Sequence, residues 1–401
     1  MGATGAELSV LSLSILHLAD VAPAPDSGAA GTDLQGVLAL SRAGHRVTAV
    51  WADALPHRIA HYNLRYLLEL PRSYREIVKR EVAKQKFDVV QISQPHGYAA
   101  AKYVRSVADE SFNRPVFVHR SHGFEPRVAA ALKPWHDTQG YSRRPFIRRM
   151  ASSAMASLLE RNNRMIARNA DGHIVSASEC ADWLERMYKV PAERAAVIPQ
   201  GVPDSFLIDA APIDCARLLR MLYVGQYAFV KAPDVLGRVV SQVLAANANM
   251  TFTWVCAAQH HRQALAHFGE AVRARVSLLN WMPQDELRNV YDDHGLFLFP
   301  SFFEGFGKAF LEAMSRGLVV VAADNGGMKD VITDGVDGFK VPTGDIAGMS
   351  ACIDRVLVDF ELAKQISAAA IKTGFRHSWD QYAMASTVFY ERLIRLRSSE
   401  R

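Results

Sequence analysis

Short apolar runs alternate with longer amphipathic stretches along the whole chain. In the first half the runs are SVLSLSILHL, HRVTAVWA, FDVVQIS, RPVFVHRS and GHIVSAS. After residue 215 the pattern starts again with LRMLYVG, MTFTWVCAA, ARVSLLNW, GLFLFPS and GLVVVAAD. Such alternation is typical of a parallel sheet covered by helices on both faces. The sequence therefore predicts an α/β protein of two Rossmann-like, doubly wound domains that face each other across a ligand cleft.

Residues 198–214 separate the two sets of runs. This segment, IPQGVPDSFLIDAAPID, contains several prolines and has no sustained period, as expected of a linker. We predict a first domain at residues 1–203 and a second at residues 204–378. The remaining residues, 379–401, have apolar positions at helical spacing and are predicted to form a helix that docks on the rest of the protein.

Composition agrees with this organisation. The 401 residues suit two domains of about 200 residues each. The four cysteines are scattered without a CxxC pair, which favours a reducing compartment such as the cytoplasm. Residues 8–19 are apolar, but no basic residue precedes them and the run is too short to span a membrane. We therefore predict that they form a buried first strand.

The two halves of the chain differ in charge. Residues 1–200 contain 26 Lys and Arg against 19 Asp and Glu, whereas the remainder contains 20 against 22. A basic first half favours an acidic partner there, although ordinary solvated surface explains most such charges. Residues 143–168 have a basic start and an apolar stripe, which fits either peripheral contact with an anionic membrane or a surface helix packed on the core. The stripe consists of Ile147, Met150, Ala154, Leu158 and Met165.

The strongest chemical signal is FPSFFEGFGKAFLEAMSRGLVVVAADNGG, residues 299–327. A buried strand is predicted to end at Pro300, and a loop with two glycines then leads into a helix that stops at Gly317. Glycines after a strand let backbone N–H groups approach a ligand, and the start of a helix favours anions. Residues 305–308 are therefore predicted to bind the phosphates of a nucleotide diphosphate.

Two acids flank this loop. Glu312 lies on the second turn of the predicted helix, where its carboxylate can accept hydrogen bonds from two ribose hydroxyls. Glu304 lies at the strand end, where it can hold a sugar or stabilise positive charge at the anomeric carbon. In a simpler alternative, Glu304 caps the helix and Glu312 lies on its solvent face. The coincidence of two acids and two glycines in a strand–loop–helix context favours the nucleotide site.

These residues resemble a known family. The Glu-x7-Glu spacing, the EGFG loop and the EAM-x-x-G continuation are similar to those of retaining glycosyltransferases of family four, which have the GT-B architecture. Segments throughout the chain resemble the same family, namely residues 169–202, 221–236, 281–301 and 374–383. The resemblance implies transfer of a sugar from a nucleotide-diphosphate sugar to an acceptor hydroxyl, with retention and without a metal ion. It also implies that the last helix crosses back to the first domain.

The resemblance assigns roles to individual residues. In the loop PDSGAAGTD, the backbone of Gly28, Ala29 and Gly31 would approach the diphosphate. His122, after the fourth strand, would lie near the donor sugar, and Lys231 would neutralise the leaving diphosphate. The implied catalytic residues are Glu304, His122 and Lys231. The implied donor-binding residues are Gly28, Ala29, Gly31, Gly225, Gln226, Lys231, Glu304, Gly305, Phe306, Gly307, Lys308 and Glu312.

The chain departs from the family at several positions. Gln226 stands where the family usually has Arg, so a charge and a bidentate fork for the diphosphate are missing. Ala232 replaces a common Gly, Gln200 replaces a common Asn, and Lys329 precedes the acidic residue after the Gly–Gly turn where Pro is usual. The change at Gln226 concerns the affinity for the donor and also the activity.

No metal ion or cofactor is predicted, and the nucleotide sugar, such as a UDP- or GDP-sugar, is a co-substrate. His260, His261 and His267 are close in sequence but lack carboxylates or cysteines at ligand spacing. Asp292 and Asp293 lie in a helix-like stretch and are predicted to be solvated rather than to bind a divalent ion.

The main prediction is a hexosyltransferase-type enzyme of glycan, polysaccharide or glycolipid biosynthesis. Its acceptor would be a sugar, glycan or lipid-linked molecule on the first domain, and no nucleic acid is expected as a partner. The enzyme would act in the cytoplasm or at the inner face of the membrane. Alternatives are another GT-B reaction, such as a sugar phosphorylase or epimerase, and a non-catalytic partner subunit, which Gln226 favours. A nicotinamide oxidoreductase is disfavoured because GxGxxG is missing.

Overall fold

The computed structural model describes residues 12–24, 28–61, 64–107, 114–138 and 146–399. Two six-stranded parallel sheets, each flanked by helices, organise these residues. The predicted class, two doubly wound α/β units, is confirmed.

The first sheet is built from six short strands. They are β1 (Ser14–Leu18), β2 (Arg46–Val50), β3 (Val89–Ile92), β4 (Val116–Ser121), β5 (Gly172–Val175) and β6 (Ala195–Val197). Their order is β2-β1-β3-β4-β5-β6, and every neighbouring pair is parallel. Strands β1, β3, β4 and β5 are buried along their length because helices cover both faces of the sheet. Of the predicted first strand, residues 8–11 lie outside the described part of the chain.

In the described part of the chain, six helices accompany the first sheet. They are α1 (Gly28–Arg42), α2 (Leu70–Lys84), α3 (Tyr98–Ser106), α4 (Glu125–Thr138), α5 (Phe146–Asn169) and α6 (Ser178–Tyr188). A π-helical turn, Arg65–Glu69, leads into α2. Because α1 begins at Gly28, most of the segment predicted as a phosphate loop is the first part of a helix instead.

The second sheet repeats the design with a different strand order. Its strands are β7 (Arg220–Val224), β8 (Thr251–Val255), β9 (Val276–Leu279), β10 (Leu296–Phe299), β11 (Val319–Ala323) and β12 (Phe339–Val341). The order is β12-β11-β10-β7-β8-β9, again entirely parallel. Strands β10 and β7 are neighbours at the centre, where strand order reverses. Ligands of open α/β sheets bind at such a point.

Nine helices surround the second sheet. They are α7 (Cys215–Leu218), α8 (Pro233–Ala246), α9 (His261–Leu265), α10 (Glu270–Arg273), α11 (Gln284–Asp292), α12 (Lys308–Ser315), α13 (Gly326–Val331), α14 (Ile346–Val358) and α15 (Phe360–Phe375). Most of the buried apolar side chains of this unit join one continuous core.

The last helix, α16 (Trp379–Ser399), packs on the first unit although it follows the second in sequence. Its buried residues include Tyr390 and Leu393, which share a core with side chains of β1 and α1. A Cβ atom on Gly172, at the start of β5, would lie 2.4 Å from Leu393, so glycine permits this close approach. Residues of α16 therefore complete one face of the first sheet.

Helix α5 contains the predicted apolar stripe. Its buried residues include Asn162 and Ile166, whereas Leu158 is 41% exposed. The side chains of Ile147 and Met150 lie outside the described part of the structure. Among the described helices, none combines the length and hydrophobicity that a bilayer span requires.

Candidate active site

The predicted phosphate loop lies at the carboxyl end of β10. The loop extends from Glu304 to Gly307, and α12 begins at Lys308. Gly307 has a φ of +93°, a left-handed conformation that glycine adopts without strain. Phe306 is buried and anchors the loop on the core. Two glycines therefore precede the start of a helix, an arrangement that suits an anion.

Lys231 and Glu304 form an ion pair beside this loop. Lys231 ends a short turn after β7, and its Nζ donates to Glu304 Oε1 at 2.6 Å. The side chain of Glu304 is only 7% exposed, so the pair is better shielded from water than a surface pair. Asn325 accepts a hydrogen bond from the backbone N–H of Glu304 and donates one to the carbonyl oxygen of Ser301. These bonds hold the loop that carries the carboxylate.

Glu312 is buried on α12. Its Oε2 accepts a hydrogen bond from the Tyr291 hydroxyl at 3.1 Å. Burial raises the pKa of Glu312, although the charge of Lys308 and the Tyr291 hydrogen bond act in the opposite direction. A carboxylate offers about four acceptor positions, so Glu312 retains capacity for ribose hydroxyls. Because Glu312 is buried, it does not lie on the solvent face of α12. Glu304 pairs with Lys231, and the N-terminal cap of α12 is Gly307 rather than Glu304.

His122 follows β4 in the first unit and contacts a buried carboxylate. His122 Nε2 lies 3.2 Å from Asp33 Oδ2, while Arg120 and Ser93 donate to Asp33 Oδ1 at 3.3 and 2.6 Å. Burial raises the pKa of Asp33, but the charges of His122 and Arg120 and the His122 hydrogen bond outweigh it. The pKa is held well below its usual range, so Asp33 is ionised at neutral pH.

The two units touch at Gly305. A Cβ atom on Gly305 would lie 1.9 Å from the carbonyl oxygen of His122, so glycine alone fits there. The Cβ position of Gly123, whose φ is +148°, lies 3.8 Å from the Cα atom of Gly305. The two predicted motifs therefore pack backbone against backbone, and the candidate site lies between the carboxyl ends of the two sheets.

A second contact between the units joins the starts of α6 and α13. The backbone N–H of Ser178 donates to Asp330 at 2.6 Å, and that of Gly326 donates to Glu179 at 3.0 Å. Glu179 also pairs with Arg127 of the first unit. Each helix start thus receives an acid from the other unit, which suits the positive end of a helix dipole.

The remaining predicted residues occupy two places. Gly28 and Ala29 form the first turn of α1, and Gly31 is buried one turn further along. Gly225 follows β7, where a Cβ atom would lie 2.4 Å from the Tyr223 hydroxyl. Gln226 is the next residue and is exposed. Whether these residues contact a diphosphate stays a prediction.

Two of the departures from the family have visible consequences. Ala232 adopts a φ of +53°, the left-handed region in which glycine is unstrained, and this explains why glycine is common there. Gln200 accepts a hydrogen bond from the Thr32 hydroxyl at 3.2 Å and donates to Ser176. Its amide therefore connects α1 with the end of β5.

The prediction that Asp292 and Asp293 are solvated is confirmed for Asp293, which is exposed, whereas Asp292 is only 26% exposed and forms an ion pair. Arg316 is 2% exposed and donates to both carboxylate oxygens of Asp292, at 2.7 and 3.1 Å, because a buried guanidinium requires a partner. Within the described ranges, no group of three or more His, Cys, Asp or Glu side chains is arranged to hold a metal ion.

Sequence reasoning missed several polar residues of the site. Asp33 ends the segment PDSGAAGTD, in which roles were predicted only for Gly28, Ala29 and Gly31, and it is buried on α1. Tyr291 and Asn325 are each 21 positions from their partners, Glu312 and Glu304. No local pattern connects residues at that separation.

Comparison with known proteins agrees with this geometry. Residues 219–359 match the family model described as "Glycosyl transferases group 1", and residues 37–206 match "Glycosyltransferase Family 4". Together the two matches cover more than half of the chain. The chain belongs to the glycosyltransferases of family four and has the GT-B fold.

Curated relatives include two D-inositol 3-phosphate glycosyltransferases. The Corynebacterium diphtheriae protein is 25% identical over 279 residues, which cover 65% of this chain and 62% of that protein. The Streptomyces avermitilis protein is 30% identical over 243 residues, which cover 55% of this chain and 52% of that protein. The chain thus matches little more than half the length of these relatives.

Solved structures share the fold. Sucrose-phosphate synthase from Thermosynechococcus elongatus has a TM-score of 0.73 at 19% identity, covering 96% of this chain and 100% of that one. Anabaena HepE in complex with UDP-glucose has a TM-score of 0.65 at 17% identity, with 96% and 100% coverage. At such identities the likeness concerns the architecture alone.

Proposed function

We propose that this glycosyltransferase moves a hexosyl group from a nucleotide-diphosphate sugar to an acceptor hydroxyl, with retention at the anomeric carbon and without a metal ion. The observation that carries the proposal is the 2.6 Å pair of Lys231 and Glu304 beside the glycine loop and the buried Glu312. The ammonium group of Lys231 and the start of α12 suit the diphosphate of such a donor. The two acids have different surroundings, and they suit its ribose and its sugar.

Each part of the donor has a chemical counterpart. The ammonium group of Lys231 and the N–H groups at the start of α12 favour the diphosphate. Glu312 accepts hydrogen bonds from the ribose hydroxyls, and Glu304 faces the sugar. His122 Nδ1 is buried and has no hydrogen-bond partner within the described residues. We assign it as an acceptor for a hydroxyl of the donor sugar.

In the proposed reaction, the bond between the anomeric carbon and the leaving diphosphate breaks, and the acceptor hydroxyl attacks on the same face. The hydroxyl proton passes to the leaving phosphate oxygen. Glu304 stabilises the positive charge that develops on the sugar, and Lys231 stabilises the negative charge on the leaving group.

The acceptor is proposed to bind to the first unit. Positions 1–200 contain 26 basic and 19 acidic residues, and this net positive charge suits a phosphorylated acceptor. The names of the curated relatives specify D-inositol 3-phosphate. We therefore propose phosphorylated polyols as a further class of acceptor. The other classes remain the sugars, glycans and lipid-linked molecules of glycan, polysaccharide or glycolipid biosynthesis.

Residues 143–168 are proposed to reach an anionic membrane surface where such lipid-linked acceptors occur. The exposed Leu158 and the basic start of the segment suit this contact, and the four free cysteines suit the cytoplasm. Sedimentation with anionic and neutral vesicles at two salt concentrations tests the contact. Absence of binding at both salt concentrations would contradict it.

A thermal-shift screen of UDP-, GDP- and ADP-sugars, followed by product analysis, tests the function. At least one donor should raise the melting temperature, and the product should keep the anomeric configuration of that donor. Glu312→Ala should weaken nucleotide binding, whereas Glu304→Ala should lower kcat more than affinity. Glu361→Ala removes an exposed acid that pairs only at the surface, and it serves as the control. Equal, small effects of both site variants would contradict these roles.

The exposed, uncharged Gln226 favours a second candidate, a non-catalytic partner subunit that keeps the fold. Gln226→Arg should then raise donor affinity by about tenfold, the contribution of one charge-assisted hydrogen bond. Absence of donor binding in the wild type would support this candidate. Release of a sugar phosphate or an epimerised nucleotide sugar from labelled donor would instead identify a phosphorylase or an epimerase.

A further inference from the structure

A chain of buried polar contacts links the last helix of the protein to His122. The hydroxyl of Tyr390, on α16, donates to Gln91 Oε1 at 2.5 Å, and Gln91 Nε2 lies 3.2 Å from His17 Nδ1. His17 Nε2 lies 3.8 Å from Asp33 Oδ1, and Asp33 Oδ2 lies 3.2 Å from His122 Nε2. The four residues before His122 are each at most 1% exposed, so water hardly competes for these contacts.

The positions of the protons follow from the groups that meet. The Tyr390 hydroxyl occupies the amide oxygen of Gln91, so the amide nitrogen of Gln91 donates to His17 Nδ1. Burial lowers the pKa of His17 to about 4, although the charge of Asp33 acts in the opposite direction. His17 is therefore neutral at pH 7 with its proton on Nε2. This atom lies 3.8 Å from Asp33 Oδ1 and has no hydrogen-bond partner within the described residues, so it acts on Asp33 through its dipole and not through a hydrogen bond.

Asp33 in turn determines which nitrogen of His122 carries a proton. An ionised carboxylate only accepts hydrogen bonds, so the Nε2 atom that faces it must donate. With the proton on Nε2, the neutral form of the His122 ring carries its lone pair on Nδ1, the buried nitrogen without a partner in the described part of the chain. The backbone of the same histidine contacts Gly305 of the donor loop.

We propose that Asp33 is a positioning residue that fixes the tautomer of His122, and that Tyr390 supports it from α16 through Gln91 and His17. This role rests on the proposed function, in which Nδ1 accepts a hydrogen bond from the donor sugar. The opposite tautomer would place an N–H where that lone pair is needed, and it would orient the lone pair of Nε2 against the carboxylate. The last helix thus serves the site as well as the core of the first unit.

Asp33→Asn tests the first half of the proposal because it keeps the shape of the side chain and removes its charge. Nitrogen NMR of histidine-labelled protein reports the tautomer, with the His122 signals assigned by their loss in His122→Asn. In the wild type, Nε2 should be protonated and Nδ1 unprotonated, and in Asp33→Asn this preference should be lost. We expect kcat to fall by about 10- to 100-fold, the equivalent of leaving one buried hydrogen bond to the sugar unmade, with a smaller change in KM for the donor.

Tyr390→Phe tests the second half because it removes only the hydroxyl that orients Gln91. The His17 tautomer should change, and kcat should fall by about tenfold, the equivalent of one hydrogen bond. Thr387→Val is the matched control on the same helix. It removes the bond of 2.7 Å between Thr387 Oγ1 and His45 Nε2, which also joins α16 to the first unit but does not lead to Asp33. This control should lower the melting temperature without changing kcat.

Each outcome decides between the roles. An unchanged nitrogen pattern of His122 in Asp33→Asn overturns the positioning role, even where activity falls. If Tyr390→Phe and Thr387→Val have the same melting temperature and the same kcat, α16 contributes to stability alone, and the proposed support of Asp33 by Tyr390 is overturned. If Asp33→Asn does not fold, the His17 and His122 tautomers in Tyr390→Phe decide. Because NMR requires no substrate, a wild type inactive on every nucleotide sugar contradicts the proposed function while the tautomer still tests this inference.

Discussion

Gly305→Ala adds one methyl group where the two units meet. The new Cβ atom would lie 1.9 Å from the carbonyl oxygen of His122 and 3.0 Å from its carbonyl carbon. A carbon–oxygen contact is relaxed at about 3.3 Å, so the facing backbones must separate by about 1.4 Å. Because both sides of the contact are backbone, no side-chain rotation relieves the clash.

A separation of this size should lower kcat by about 10²-fold, the effect of misplacing reacting groups by about 1 Å. The proposed donor residues Lys231, Glu304 and Glu312 all belong to the second unit, so nucleotide affinity should change much less. The melting temperature should fall only slightly, because the added methyl group lies between the units rather than in either core.

Steady-state kinetics, calorimetric titration with the nucleotide and thermal unfolding measure these three quantities. Gly269→Ala is the matched control in the same unit, because a Cβ atom there meets nothing within 4 Å. A wild-type kcat in Gly305→Ala would show that turnover does not require this contact. A loss of nucleotide affinity as large as the loss of kcat would refute the reasoning in a second way, because the methyl group would then be acting on the phosphate site.

Three further predictions concern charge and closure. The raised pKa of Glu312 means that wild-type stability decreases as pH rises above 4.5. Glu312→Gln should therefore raise the melting temperature at pH 8 but not near pH 4, and it should weaken nucleotide binding. Chemical denaturation should show lower stability at pH 5 than at pH 7, by about 2 kcal/mol per buried histidine that is neutral in the folded state but protonated at its ordinary pKa of 6.5 in the unfolded chain. Burial lowers the pKa to about 4 for His17, His96 and His173. Glu179→Ala removes the acceptor of the Gly326 N–H, so small-angle scattering should show a larger radius of gyration, with kcat reduced and nucleotide affinity retained.

Controls and contrary outcomes are specific to each prediction. An unchanged melting temperature of Glu312→Gln at pH 8 would show that water or a counterion already compensates the buried charge. A free energy of unfolding that is constant from pH 7 to pH 5 would show that the histidines titrate normally. Glu193→Ala removes an exposed acid of the first unit and should leave the scattering curve unchanged. The same result for Glu179→Ala would make the contact between α6 and α13 dispensable.

The sequence predicted the class of fold because parallel strands buried on both faces are continuous apolar runs of strand length. It also predicted the loop and helix of residues 304–312, because the conformation of a glycine loop and the start of a helix depend on residues that are close together in the sequence. The start of α1 at Gly28 was not predicted, since the glycine-rich segment resembled a loop. The pairing of Asp292 was not predicted either, because its partner Arg316 is 24 positions away.

The sequence by itself thus determined the two sheets, the glycine loop before α12 and the acids around it, all of which depend on residues close together in the chain. Only the tertiary structure decided that Gly305 meets His122, that Asp33 faces the same histidine, and that Tyr390 reaches Gln91. The last pair is separated by 299 positions. Contacts of this kind depend on how two sheets and a returning helix pack, because a hydrogen bond forms only when packing brings its donor and acceptor within about 3 Å.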